Sequence, residues 1–180
     1  MNPNLPDHRD HEPVSGDNVP FDPAPWIPYK HVILWGYPHF AHALPPGTIL
    51  VWQKKRGNEM GKFLSDGELA WMKGGKGVYI YEHRWNGFLR DSEQNTRTLH
   101  PTQKPVALMK FCIERLKLPA GTTILDPYMG AGSTGLAALD LGHPFIGIEI
   151  DEHHFATASD RINAKLRELA GLGEQLSLLQ

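Results

Sequence analysis

The sequence predicts an α/β fold built on a parallel sheet, and three features of residues 122–169 predict it. The first is a short apolar run at residues 122–125, with the length and β-branched content of a buried parallel strand. The second is a glycine turn at residues 130–132 that leads into a helix from about Ser133 to Gly142. The third is another buried strand at residues 145–150, followed by an amphipathic helix at residues 151–169. Together they indicate the strand–helix–strand unit of a parallel sheet.

Two carboxylates follow the two predicted strands. Ligands of open α/β sheets bind outside the carboxyl ends of the strands, so we expect Asp126 and Glu149 at one edge, with helix N-terminal amides between them. Two ligand classes fit this arrangement. Residues 130–135 match the pattern G-x-G-x-x-G with an acid downstream, which indicates a dinucleotide such as NAD and an oxidoreductase.

The context of the glycine pattern favours the other ligand class. A dinucleotide fold needs further strand–helix units, whereas only one helix and a tail follow Ile150. Asp126 immediately before the turn, and the Pro-Tyr pair after it, are also foreign to the dinucleotide fingerprint. A ligand with a ribose and a cationic amino-acid part fits better, because Glu149 would accept from the ribose hydroxyls and Asp126 would face the charged end.

Two motifs resemble the DNA amino-methyltransferases, which make N6-methyladenine or N4-methylcytosine. Residues 126–134, D-P-Y-M-G-A-G-S-T, are similar to the cofactor loop of these enzymes. Residues 100–105, H-P-T-Q-K-P, resemble their second cofactor motif and precede the glycine loop, as in the permuted, phage-type adenine methylases. The resemblance covers most of residues 20–162. It implies a Rossmann-like, S-adenosylmethionine-dependent methyltransferase fold with a mostly parallel sheet and helices on both faces.

The resemblance also implies the cofactor and the residues that hold it. S-adenosylmethionine would be bound by residues of the two motifs and by the acid after the second strand. These residues are His100, Thr102, Lys104, Asp126, Tyr128, Gly130, Gly132, Ser133, Thr134 and Glu149. The second motif is expected to become a helix capped by Thr102, with Pro105 in its first turn.

Charge is distributed unevenly along the chain. The net charge is −2, but residues 54–104 carry ten basic and six acidic groups. Such a basic segment favours contact with double-stranded DNA, through phosphates or through base edges. A solvated turn at residues 54–59, and aromatics that merely cover the core, are the alternatives. The candidate DNA-binding residues are Lys54, Lys55, Arg56, Arg84, Trp85, Asn86 and Arg90.

The catalytic loop that the resemblance implies is missing from the sequence. In that family an Asp, Asn or Ser, two prolines and an aromatic orient the target amine, and no such tetrapeptide occurs here. The nearest imitation is residues 22–26, which makes Asp22 a weak catalytic candidate. We therefore expect a chain shortened at its N-terminus, lacking a strand and the catalytic loop. A methyltransferase, active or inactive, and a non-catalytic cofactor- or DNA-binding module both remain open.

The predicted organisation has three parts. Residues 1–30 are a Pro-rich arm or loop, residues 31–170 a methyltransferase-like domain, and residues 171–180 a flexible tail. Within the domain, residues 54–99 would contact DNA and residues 100–170 would hold the cofactor. The tail resembles the pentapeptide that docks on the bacterial sliding clamp, with Leu in place of the usual final Phe; the alternative is a frayed helix end. The docking residues would be Gln175, Leu176, Leu178 and Leu179.

Composition sets the remaining expectations. The single cysteine, Cys112, lies in a predicted helix, so a disulfide framework is excluded and a reducing cytoplasm is expected. The resemblance to the phage-type methylases implies that this is the cytoplasm of a bacterial or phage-infected cell. No apolar run approaches the length of a membrane span. The ten histidines lack cysteine partners or a zinc spacing, so no metal is predicted.

Overall fold

The computed structural model describes residues 19–62, 65–86, 89–94, 96 and 98–177, and for residues 172–177 only the backbone. The upstream half is a three-stranded sheet in the order β1-β3-β2. Its strands are β1 (Ile33–Trp35), β2 (Gly47–Gln53) and β3 (Gly67–Glu82). The apolar runs at residues 48–52, 68–71 and 78–81 lie within β2 and β3, and β1 takes up only the last three residues of the run at residues 31–35.

β3 is long because it bends back along β2. Gly47 faces Lys73 and Gln53 faces Gly67, so the first part of β3 runs opposite to β2. The second part runs in the same direction as β2, with Val78 opposite Ile49. Gly74 and Gly75 lie at the bend, with φ of 83° and 69°, which glycine adopts without steric cost. β2 therefore lies between the two parts of β3. A short hairpin follows, formed by β4 (Trp85–Asn86) and β5 (Leu89–Arg90).

The downstream half contains the predicted strand–helix–strand unit. β6 (Ile124–Asp126) and β7 (Phe145–Gly147) pair in parallel, and α2 (Ser133–Asp140) connects them. The unit is preceded by α1 (Val106–Leu116) and followed by α3 (Glu152–Ser177). Leu125 lies opposite Ile146 in the register. Asp126 is the last residue of β6, and Glu149 lies two residues beyond the end of β7.

The cap predicted for α1 is wrong. Pro105, not Thr102, is the N-cap residue, and the helix begins at Val106. A residue before proline is disfavoured in the helical region, so the helix is not expected to include Lys104. The amide of Val106 donates instead to Oε2 of Glu93 at 3.0 Å, a residue thirteen positions upstream.

One hydrophobic core joins the two halves. Leu50 and Trp52 of β2, both fully buried, pack in the same cluster as Leu108 and Cys112 of α1 and Ala137 of α2. Helix α1 thus lies between the upstream sheet and the strand–helix–strand unit. Cys112 is buried in this core, and burial raises the pKa of its thiol to about 12.

Helices α2 and α3 cover one face of the β6–β7 pair. On that face an added Cβ at Gly135 would come within 2.7 Å of Phe145 and 2.8 Å of Ile162. On the other face Leu125 and Ile146 are 42% and 53% exposed. Among the described residues, therefore, the helices that the fold class places on both faces cover only one face of this pair.

The described parts of the N-terminal arm and of the C-terminal end have fixed contacts or helical backbone. Residues 19–30 form only turns, but Pro23 is fully buried, and Nζ of Lys73 donates to the carbonyls of Ile27 and Tyr29, both at 2.7 Å. At the other end, α3 continues through Gly171 to Ser177, so the helix does not end at residue 169 as predicted. In the described part of the chain, no helix combines the length and apolar character needed to span a bilayer.

Candidate functional site

The glycine loop, residues 127–132 between β6 and α2, lies against the segment that follows β7. The amide of Ile148 donates to the carbonyl of Asp126 at 2.9 Å, and the amide of Met129 donates to the carbonyl of Ile148 at 3.0 Å. Oδ1 of Asp126 accepts from the amide of Tyr128 at 3.0 Å. Gly130 and Gly132 then have φ of 48° and 76°. Because such values favour glycine, the sequence pattern and the backbone turn agree.

Glu149 is held against this loop. One carboxylate oxygen accepts from the amide of Gly130 at 2.8 Å, and the other accepts from the amide of Asp151 at 3.0 Å. An ionised carboxylate offers about four acceptor positions, so two hydrogen bonds leave capacity for further donors. The sequence predicted that Asp126 and Glu149 meet at one edge, and the bonded loop between them places both there.

Ser133 marks the loop as a polar cradle. It begins α2 and is 7% exposed, and its buried Oγ has no hydrogen-bond partner among the described residues. An unsatisfied buried polar group costs about 1–3 kcal/mol. Such groups are rare in native proteins and call for a ligand, ion or water. Thr134, the next residue, is half-buried on the first turn of the same helix.

The two sequence motifs meet at Gly130. His100 is 7% exposed, and its Nδ1 lies 3.2 Å from the amide and 3.1 Å from Oγ1 of Thr102. An added Cβ at Gly130 would come within 3.4 Å of the His100 ring. The ring of His154, on α3, lies 4.3 Å from that of His100, and its Nδ1 is buried without a partner among the described residues. Sequence reasoning missed His154, which was considered only as a metal ligand.

Lys104 points away from the glycine loop. Its ammonium lies 3.4 Å from Oε2 of Glu68, on β3, and 5.6 Å from the ring centre of Trp35. Lys54 binds the other oxygen of Glu68 at 2.9 Å. Burial raises the pKa of Glu68, but the two ammonium groups outweigh it and leave the pKa below its usual value. Lys104 thus joins the second motif to the upstream sheet.

An aromatic cluster lies against the loop residue Tyr128. This ring is 64% exposed and makes edge contacts with the rings of Phe21 and Trp26, both at 5.9 Å. Asp22, the weak catalytic candidate, lies between these aromatics in sequence. Its carboxylate is exposed, and Oδ1 accepts from the amide of Ala24 at 2.9 Å. No sequence signal indicates this packing, because it joins positions about a hundred residues apart.

Burial contradicts the DNA-contact prediction for Lys55. This residue is 2% exposed, and its Nζ donates to the carbonyl of Lys62 at 2.8 Å and to Asp66 at 3.1 Å. A cation satisfied inside the protein cannot reach a phosphate. The sequence reasoning failed because it counted charges without knowing their partners.

Two arginines of the basic segment, Arg56 and Arg84, also have acidic partners. Arg56 pairs with Glu82 and, at 2.8 Å, with Asp91. Arg84 pairs with Glu59; hydrogen bonding from the guanidinium is the main cause that lowers the pKa of Glu59. These pairs neutralise much of the positive charge that the sequence predicted for this face.

The β4–β5 hairpin presents the remaining DNA candidates. The guanidinium of Arg90 lies over the ring of Trp85, 4.4 Å from its centre, and Nη1 donates to the carbonyl of Thr96 at 2.9 Å. Asn86 ends β4 and pairs with Leu89 across the hairpin.

The clamp-docking residues fall at and beyond the end of α3. The backbone of Gln175 and Leu176 is helical, which differs from the extended peptide that docking requires. Leu178 and Leu179 lie outside the described residues.

The glycine loop lies within the region over which this chain matches a known family. The family model described as DNA methylase, N6_N4_Mtase, matches residues 71–160, half of the chain. The type II methyltransferase M2.DpnII of Streptococcus pneumoniae is 37% identical over 84 residues, 45% of this chain and 30% of that protein. The type II methyltransferase M2.LlaDCHI of Lactococcus lactis subsp. cremoris is 37% identical over 82 residues, 44% of this chain and 29% of that protein.

A solved structure extends the likeness over more of the fold. The crystal structure of the M1.HpyAVI–SAM complex superimposes with a TM-score of 0.54 and 28% identity, covering 78% of this chain and 83% of that chain. The chain spans less than a third of the curated relatives it matches, and most of this solved neighbour. The Rossmann-like methyltransferase fold predicted from the two motifs is confirmed, and the chain belongs to the DNA methylase family of the N6-adenine and N4-cytosine type.

Proposed function

We propose that the chain binds S-adenosylmethionine at the glycine loop and serves the methylation of amino groups in double-stranded DNA, at adenine N6 or cytosine N4. The observation that carries the proposal is the unsatisfied Oγ of Ser133, buried beside the positive-φ glycines and the Glu149 carboxylate. The family match and the S-adenosylmethionine named with the solved neighbour support the same ligand. An NAD-binding oxidoreductase has no support from these relatives.

The donor and acceptor set of the loop fits that cofactor. Glu149 keeps acceptor capacity for the ribose hydroxyls, and the carboxylate of Asp126 suits a cationic amino-acid end. Ser133 and Thr134 add hydroxyls at a helix N-terminus. When bound, the cofactor supplies an electrophilic methyl group. The chain's own contribution is to hold the loop backbone, through Glu149 and Gly130, in a shape that a ligand can approach.

The proposed DNA face is narrower than the basic segment of the sequence. Arg90 and Trp85 form a stacked pair on a hairpin, suited to base or phosphate contact. Lys62 and Lys76 are exposed and add positive charge nearby in sequence. Arg56 and Arg84 contribute only what their carboxylate partners leave uncompensated.

Catalysis needs one more group. Amine methylation requires an acceptor that orients the amine and an aromatic that stacks on an extruded base. The 180-residue sequence contains no D-P-P-Y-type tetrapeptide, and the exposed carboxylate of Asp22 is the weak candidate left. We therefore propose that this chain alone does not turn over, and that another segment or chain supplies the orienting loop. A non-catalytic binding module is the second candidate, favoured by the same absence.

Two measurements on the full chain test the proposal. Titration calorimetry should show saturable binding of S-adenosylmethionine and no binding of NAD. Transfer of labelled methyl groups to mixed-sequence DNA should be at background. Binding without transfer supports the proposal, and preference for NAD overturns it. Robust transfer would show that Asp22 or its neighbours replace the missing loop, and Asp22→Ala, which removes the acceptor, would then abolish that transfer.

We also propose that the C-terminal residues 175–179 dock on a bacterial sliding clamp. Leu176, Leu178 and Leu179 would fill apolar pockets while Gln175 hydrogen-bonds at the rim. Because the backbone is helical through Ser177, docking requires the end of α3 to unwind. Gly171 and Gly173 lower the cost of that unwinding.

A further inference from the structure

Glu93 lies where three parts of the fold meet. It follows the β4–β5 hairpin, and its side chain is about four-fifths buried. Oε2 accepts from the amide of Val106 at 3.0 Å, the first residue of α1. Oε1 accepts from Nη2 of Arg161, on α3, at 3.2 Å and from Nε2 of Gln103 at 3.4 Å. One carboxylate therefore binds the hairpin segment to the second motif and to the last helix.

Arg161 carries the connection into the glycine loop. While Nη2 donates to Glu93, Nη1 donates to the carbonyl of Ala131, the residue between Gly130 and Gly132. Ala131 is 4% exposed, so this carbonyl is satisfied inside the protein. The planar guanidinium holds two partners in fixed directions, which a lysine ammonium would not do. Burial lowers the pKa of Arg161, and the Glu93 carboxylate acts in the opposite direction.

The backbone of Glu93 shows that this arrangement is strongly constrained. Its φ is 50°, in the left-handed region that residues other than glycine rarely adopt. Strain of this kind persists only where the surrounding contacts fix the conformation, and it is concentrated at functional sites. The carbonyl of Glu93 also accepts from Oγ1 of Thr96 at 2.6 Å.

We propose that Glu93 and Arg161 are positioning residues, which hold the glycine loop and the loop at residues 100–105 in the mutual placement that cofactor binding requires. This inference rests on the proposed function of the glycine loop as the cofactor site. Neither residue belongs to the two motifs. The pair acts through Ala131 on one side and through Gln103 and Val106 on the other.

The chain offers a matched control in a second ion-pair bridge. Asp140, at the far end of α2, pairs with Lys110 of α1 and Lys165 of α3. It also joins three helices, but neither of its partners lies in the glycine loop. Asp140→Asn therefore removes a comparable ion-pair bridge without touching the loop.

Two variants separate the contact of Glu93 with Val106 from its contact with Arg161. Glu93→Gln keeps an oxygen for the Val106 amide but removes the charge that faces Arg161. Arg161→Lys keeps the positive charge but removes the planar guanidinium that donates to Glu93 and Ala131 at the same time. In both, backbone hydrogen exchange without ligand should rise at residues 126–134, with little change at residues 103–108 in Glu93→Gln. S-adenosylmethionine affinity should fall about tenfold, because binding must then also restore the loop shape that one charged hydrogen bond held in the wild type.

The control decides between positioning and general stability. Asp140→Asn should lower the melting temperature about as much as Glu93→Gln and Arg161→Lys do. Exchange at residues 126–134 and S-adenosylmethionine affinity should nevertheless stay near wild type in Asp140→Asn. Equal exchange and equal affinity in all three variants would overturn the inference. If wild type binds no S-adenosylmethionine, the proposed function fails, whereas the exchange comparison still decides whether the pair holds the loop: unchanged exchange at residues 126–134 overturns it.

Discussion

The two halves of the molecule treat polar groups in opposite ways. Between residues 54 and 104, all six carboxylates take a cationic partner. In the strand–helix–strand unit, by contrast, Oγ of Ser133 is buried without a partner among the described residues, and Glu149 uses only part of its acceptor capacity. The upstream carboxylates are all paired with cations, one of them with Arg161 of α3, whereas the glycine loop retains polar groups that the proposed cofactor would engage.

This difference changes what each sequence signal is worth. A cluster of lysines and arginines reports composition, and its meaning depends on where the nearby acids fold. Arg56 and Asp91 are 35 residues apart in sequence yet form a two-point pair. A glycine pattern reports backbone shape directly, because positive φ is a local property. The glycine loop was accordingly predictable and the charged face was not.

The largest expected effect comes from filling space inside the downstream half. An added Cβ at Gly135 meets Phe145 at 2.7 Å and Ile162 at 2.8 Å, so Gly135→Val should lower the free energy of unfolding by about 3 kcal/mol. Gly171, also helical, has nothing within 4 Å of its added Cβ. Gly171→Ala should therefore raise the free energy of unfolding by about 0.5–1 kcal/mol. Urea denaturation measures both, and destabilisation by both would contradict the packing described.

Removal of the Glu149 carboxylate tests the spare polar capacity of the downstream half. Glu149→Ala loses both the hold on Gly130 and the acceptors proposed for the ribose, so S-adenosylmethionine affinity should fall by about thirtyfold. Glu149→Gln keeps one carbonyl oxygen and should lose less. Calorimetric titration of both variants gives the comparison. Equal affinity in wild type and Glu149→Ala would remove this residue from the site.

Two sets of lysines separate internal charge from the charge that is proposed to face DNA. Lys55→Met leaves Asp66 and the Lys62 carbonyl without their donor and should cost about 1–2 kcal/mol of stability. Its effect on the salt dependence of DNA binding should be nil. Replacing the exposed Lys62 and Lys76 with Ala should show the reverse, with unchanged stability and a salt slope reduced by about 0.9 for each phosphate that is no longer neutralised. Fluorescence anisotropy over a salt series measures the slope, and a reduced slope in Lys55→Met would restore that residue to the DNA face.

The sequence was sufficient for elements whose signals are local. The runs at residues 122–125 and 145–150 predicted β6 and β7, which lie at residues 124–126 and 145–147. The expected burial was wrong at Leu125 and Ile146, which are exposed. The glycine pattern predicted the turn that leads from β6 into α2. The predicted cap of α1 was wrong because the carboxylate that accepts from its first amide belongs to Glu93. That residue is thirteen positions upstream, farther than any local capping motif extends. The contact of Arg161 with Ala131 spans 30 residues and its contact with Glu93 spans 68, so no spacing rule could reveal them.

The smallest expected effect concerns the end of α3. If residues 175–179 dock on the sliding clamp as an extended peptide, the helix must unwind first, and each change that stabilises the helix must weaken docking. Gly171→Ala should therefore reduce clamp affinity of the full chain by about threefold, in proportion to the helix propensity gained. A synthetic peptide of residues 173–180 lacks that position and has little helix to lose, so it should bind at least as tightly as the full chain. Gln175→Ala combined with Leu178→Ala should abolish binding of both. Fluorescence polarisation with purified bacterial clamp measures the affinity of the full chain, of its variants and of the peptide. If the wild-type peptide does not bind at high clamp concentration, the docking proposal fails. If Gly171→Ala leaves the clamp affinity of the full chain unchanged, the clamp instead accepts the helical end of α3.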